Sequence, residues 1–100
     1  MIKIMKIEPR HYTDQRRMLN SSLGSDDKII DVFCDIFKEG KYHIVKEYPF
    51  DMGLKQLYDH AYMVDDIPIN VGDVVRMGDT YNVCLPYDWK AMTYEEIFTR

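Results

Sequence analysis

No run of apolar residues exceeds four, the longest being Ala61 to Val64, far short of the roughly 20 that a membrane-spanning helix needs. The opening residues Met1-Ile2-Lys3-Ile4-Met5-Lys6 are interrupted by lysines and lack the continuous apolar stretch of a signal peptide. We therefore expect a cytoplasmic protein with no membrane partner. Glycine and proline are scarce, five and four in 100 residues, which excludes collagen-like and low-complexity chains. The glycines at 24, 40, 53, 72 and 78 never group, so no phosphate-cradling loop is present. Serine occurs only at 21, 22 and 25, which leaves no Gly-x-Ser-x-Gly nucleophile elbow.

Cysteine is limited to Cys34 and Cys84, fifty positions apart and each inside an apolar segment. Small secreted domains carry more bridges, and structural zinc sites carry a Cys-x-x-Cys pair. Both cysteines read as small buried hydrophobes; whether they bridge depends on a Cα separation that the sequence leaves open. His11, His43 and His60 are also dispersed, and no pair has ligand spacing. No metal and no cofactor is expected. Asp59-His60 is the one acid–imidazole neighbour, but adjacent residues on a helix point about 100° apart and do not pair. With no catalytic motif, a non-catalytic protein is the expectation.

What the chain does have is 46% hydrophobic residues, 30% charged residues and 13% aromatics, enough for one modest core in a single α+β domain. The net charge of −4 is unevenly spread. Residues 1–25 hold five basic and two acidic residues, whereas residues 26–100 hold eight basic and fifteen acidic ones. The sign changes at Asn20-Ser21-Ser22-Leu23-Gly24-Ser25, a small, polar stretch that reads as a linker. The organisation expected is a basic N-terminal strand and arm (1–25) followed by an acidic body (26–100), compact overall.

Ile2 to Glu8 reads as a strand and Thr13 to Leu19 as a short helix capped by Thr13. Residues 28–37 fit two patterns. Helical spacing gathers Ile29, Ile30, Phe33, Ile36 and Phe37 on one face but misplaces Val32, with Ser25 as cap. The wealth of Ile, Val and Phe and the turn Lys38-Glu39-Gly40-Lys41 favour a hairpin with Tyr42–Tyr48 instead. The hairpin is narrowly preferred. Asp51 would then cap the main helix, around residues 52–63, with Leu54, Leu57, Tyr58, Ala61 and Tyr62 as its buried stripe. A second hairpin joins Val74–Met77 to Thr80–Leu85 through Gly78-Asp79. Thr93-x-x-Glu96 has capping-box spacing and starts a last short helix. The fold expected is α+β: a small, mainly antiparallel sheet of two hairpins plus an N-terminal strand, packed on one main helix.

Three functional readings follow. The leading one is protein binding, because eight tyrosines, four phenylalanines, one tryptophan and seven methionines supply interface-type side chains. Tyr87, Trp89 and Tyr94 are the expected anchors, with Asp88, Glu95 and Glu96 facing a partner with a basic surface. Trp89 plugging the end of the sheet is the competing structural role. Self-association into a homo-oligomer is equally compatible. One compact acidic domain without a cofactor motif is also the profile of phage and mobile-element accessory or inhibitor proteins, an analogy by class. The second reading is nucleic-acid binding through Arg10, His11, Tyr12, Arg16 and Arg17 in the basic arm. The third is a small-ligand pocket lined by Tyr42, Tyr58, Tyr62 and Tyr81.

Overall fold

The computed structural model describes residues 1–100. Five strands, β1 (Ile2–Ile7), β2 (Tyr42–Tyr48), β3 (Val74–Met77), β4 (Thr80–Cys84) and β5 (Trp89–Thr93), form one sheet. Their order is β2-β1-β3-β4-β5, and each neighbouring pair is antiparallel. The helices are α1 (Tyr12–Ser21), α2 (Asp26–Lys38), α3 (Leu54–Asp65) and α4 (Tyr94–Thr99).

The α+β class with a mainly antiparallel sheet is as the sequence implied. Residues 28–37, however, form α2 and not a strand, so the first of the two expected hairpins is a helix followed by β2. The reason is burial on several sides. Ile29, Ile30, Phe33 and Ile36 face the sheet core, and Val32, the residue that spoiled the helical stripe, is buried as well. Arg17 of α1 reaches Asp35 at 2.8 Å, so α1 runs along the flank of α2 that carries Val32. On another flank, Arg100 beyond α4 reaches Asp31 at 2.7 Å. Ser25 caps α2 as its sequence position implied, accepting from Lys28 N. Two other caps differ from expectation: α1 starts one residue before Thr13, behind His11, and α3 starts behind Gly53 and not Asp51.

The first 25 residues are built into the domain. β1 is hydrogen-bonded to strands on both sides, and Met18 and Ser21 of α1 are buried. The sheet thus carries α1, α2 and α4 on one face, around Ile7, Phe33, Val74, Tyr81 and Val83. The opposite face holds a second core of Ile2, Ile4, Tyr48, Val75 and Cys84 under Leu57 and Ala61 of α3. A β-bulge makes this two-sided burial work in β2. Ile4 lies opposite Lys46 and Met5 opposite Ile44, leaving Val45 as an extra residue. Tyr42 and Tyr48 have the same parity, yet the bulge sends Tyr42 into the α2-side core and Tyr48 into the α3-side core.

Candidate functional site

β5 was not legible as a strand, and it decides where the expected interface residues go. Leu85 N donates to Asp88 O at 2.9 Å, closing a tight turn over Pro86 and Tyr87. The chain then returns with Trp89 opposite Cys84. Tyr87, at the tip, is completely exposed. Trp89 is half-buried and packs against the α3-side core. Tyr58, on the outer side of α3, is 44% exposed and faces this turn across a groove of about 400 Å³. Tyr58, Pro86, Tyr87 and Trp89 supply its rings, and Asp88 is its only charged residue. Tyr62 lies one turn beyond Tyr58 on α3 and is more than half exposed.

Tyr94, Glu95 and Glu96 lie elsewhere. They follow the far end of β5, about 14 Å along the strand from Trp89. Tyr94 stacks on Phe98 with ring centroids 4.4 Å apart and sits beside Tyr81 on the α2-side face. Glu96 closes the capping box: its carboxylate accepts from Thr93 N at 3.0 Å, while its own N donates to Thr93 Oγ1 at 3.1 Å. The Thr93 amide holds the Glu96 carboxyl below the usual carboxylate range. Glu95 borders a separate shallow hollow with Arg76, Asp79 and Tyr81, where the Arg76 guanidinium lies 5.2 Å from the centre of the Tyr81 ring. The six residues grouped by sequence therefore form two patches.

In the basic segment, Arg10 pairs with Glu8 at 3.0 Å and Arg17 with Asp35 at 2.8 Å. His11 is the N-cap of α1, while Tyr12 and Arg16 are exposed on the helix. Two of the three arginines are thus engaged within the fold. The four tyrosines of the ligand reading do not share a pocket. Tyr42 and Tyr81 are buried on the α2 side, flanking Phe37 at 5.9 and 5.3 Å between centroids, whereas Tyr58 and Tyr62 belong to α3 on the opposite face. The Tyr42 hydroxyl donates to Gly72 O at 2.6 Å, and burial pushes its pKa well above the ordinary tyrosine value.

A cavity of about 510 Å³ opens instead between α1 and residues 70–73, with an ion pair between Lys6 and Asp73 at its floor. Lys6 Nζ also donates to Pro68 O at 2.6 Å, and Asn70 N donates to the Asp73 carboxylate at 2.7 Å. Burial pushes the Asp73 carboxyl up, and Lys6 counters it. These bonds tie the segment before β3 to β1.

Cys34 and Cys84 are free thiols in the two different cores, on opposite faces of the sheet. Burial raises both, Cys84 to about 11, so neither is a thiolate at neutral pH. No group of three or more His, Cys, Asp or Glu side chains is placed to hold a metal ion. No helix is long and apolar enough to cross a membrane.

Compared with protein-family models, curated proteins and solved structures, the chain matches none of them. The sequence drew attention to Tyr87 and Trp89 but placed Tyr58 in a buried stripe. Its exposure follows from a narrow apolar face on α3, where only Leu57 and Ala61 are fully covered.

Proposed function

We propose that this protein is a binding module that recognises another protein through the groove between α3 and the β4–β5 turn. The observation that carries this reading is the pairing of fully exposed Tyr87 with half-buried Trp89 across from Tyr58. Aromatic side chains of this kind supply much of the energy at protein interfaces, since their rings bury large areas at little entropic cost. Nothing within the chain uses the Tyr87 ring, because its side chain makes no packing contribution to the fold. The net charge of −4, with Asp88 as the one charged residue in the groove, favours a partner with a basic surface.

A photo-crosslinking side chain placed at position 87 tests the reading in cells. A discrete protein adduct is expected from position 87 and not from position 23, where Leu23 is also largely exposed but does not line the groove. Equal labelling from both positions, or none from position 87, overturns it.

A further inference from the structure

The groove has features that specify more than a generic apolar contact. We propose that it takes an arginine-flanked, proline-rich segment of the partner in the polyproline II conformation; this rests on the protein-binding reading above. Three observations meet here. The first is the lining, in which Tyr58 and Trp89 stand around Pro86 with Tyr87 projecting fully exposed at the rim, so that aromatic faces are open to a ligand. Prolyl rings pack well on such surfaces, and aromatic-lined grooves are a recurring solution for this ligand class.

The second is the hydrogen-bonding inventory. The Tyr58 and Tyr87 hydroxyls, the Trp89 indole N–H and the Asn70 side-chain amide make no hydrogen bond within the protein, and none is buried without a partner. These groups are therefore left free to donate to a ligand. A polyproline II segment is the complementary ligand because it has no internal hydrogen bonds, so its carbonyl oxygens remain free to accept. One turn of three residues advances about 9 Å, a span suited to a short groove. A helix offers few free carbonyls along its length, since its own backbone bonds consume them, and a strand within a sheet shares its carbonyls with its neighbours.

The third is charge. Asp88 is the only charged residue in the lining, and no basic side chain of the chain pairs with it. Its backbone carbonyl holds the turn, which leaves the carboxylate free at the groove's edge. An arginine flanking the prolines is the matching cation, binding a carboxylate through two parallel N–H groups.

Trp89 is the only tryptophan in the chain, so its emission reports on the groove directly. The test titrates the full chain with a synthetic peptide of about a dozen residues, mostly proline with spaced leucines and one terminal arginine. A control peptide carries glycine at every proline position. The proline peptide should shift and saturate the Trp89 emission, and the glycine peptide should not. Tyr87→Ala, a change at a fully exposed site, should weaken binding by about tenfold. Asp88→Asn should weaken the arginine-bearing peptide by about threefold and leave an arginine-free proline peptide unaffected. Equal response to both peptides, or to neither, overturns the assignment. If neither peptide binds while crosslinking from position 87 still traps a protein, the proline-rich class falls and the protein-binding reading stands. If crosslinking also fails, both fall.

Discussion

The Tyr48 hydroxyl donates a hydrogen bond to the Asp65 carboxylate, fastening edge strand β2 to the last turn of α3. Lys46 adds an ion pair to the same carboxylate at 3.7 Å, and His60 packs edge-on to the Tyr48 ring with centroids 5.4 Å apart. The hydrogen bond from Tyr48, ahead of the positive charges nearby, holds Asp65 below the ordinary aspartate range. Burial pushes Tyr48 up to about 12, with the Asp65 hydrogen bond contributing.

These shifts fix the pH dependence of the α3 attachment. Asp65, being depressed, adds stability above its unfolded pKa, and that stability is lost as pH falls through its lower folded value. Tyr48, being raised, adds stability that is complete below about pH 10 and lost as pH rises toward about 12. Tyr48→Phe should therefore lower Tm most at neutral pH. The gap to wild type should shrink as pH falls below about 4 and Asp65 is protonated through its depressed folded value, and again as pH rises from about 10 toward about 12. Thermal unfolding followed by circular dichroism across this range checks it; a gap independent of pH would reject the link.

Lys6→Met should be more damaging at pH 7 than at pH 4. It leaves the Asp73 carboxylate buried without its cation, while Asn70 N alone continues to donate to it. The cost at pH 7 should be about 2–3 kcal/mol, less than for a fully buried pair because both heads keep some solvent contact. At pH 4 the orphaned carboxyl, whose pKa rises further without Lys6, takes up a proton and the cost shrinks. Urea denaturation at the two pH values provides the comparison, and equal costs would rule this account out.

Gly72 and Gly40 both hold positive φ, at +90° and +71°, yet they should differ on substitution. A Cβ at Gly72 would run into the Met18 side chain, whereas one at Gly40 meets open space. Gly40→Ala should cost about 1–2 kcal/mol from backbone strain alone. Gly72→Ala adds displacement of Met18 from the core and should reach about 3 kcal/mol. Urea midpoints for the two variants rank them, and equal losses would show that Met18 yields freely.

Tyr87 and Trp89, two residues apart, should separate binding from stability. Trp89 packs on the α3-side core, so Trp89→Ala should cost about 2 kcal/mol, roughly 10 °C in Tm for a domain this size. Tyr87→Ala should leave Tm within about 2 °C. Differential scanning calorimetry measures both. A comparable drop for Tyr87→Ala would place that ring in the fold and remove the main support for the groove as an interface.

Local chemistry by itself determined much of this protein. The Gly78-Asp79 turn, the Ser25 cap and the Thr93–Glu96 capping box each form from residues close in the chain, so their signals survive without tertiary context. The nature of residues 28–37 was decided only in three dimensions. Their Ile, Val and Phe content suits a strand, and the helical stripe fails at Val32 until α1 covers that flank. The candidate site was half legible for a related reason. Tyr87 and Trp89 stand out by residue type, but Tyr58 joins them only because β5 pairs with β4 and α3 crosses the same sheet face. Tyr94, Glu95 and Glu96 follow closely in sequence, yet a five-residue strand carries them to the other end of the sheet and its other face. Short-range hydrogen bonding is written locally, whereas which faces are covered, and so which aromatics remain free, depends on how distant segments pack.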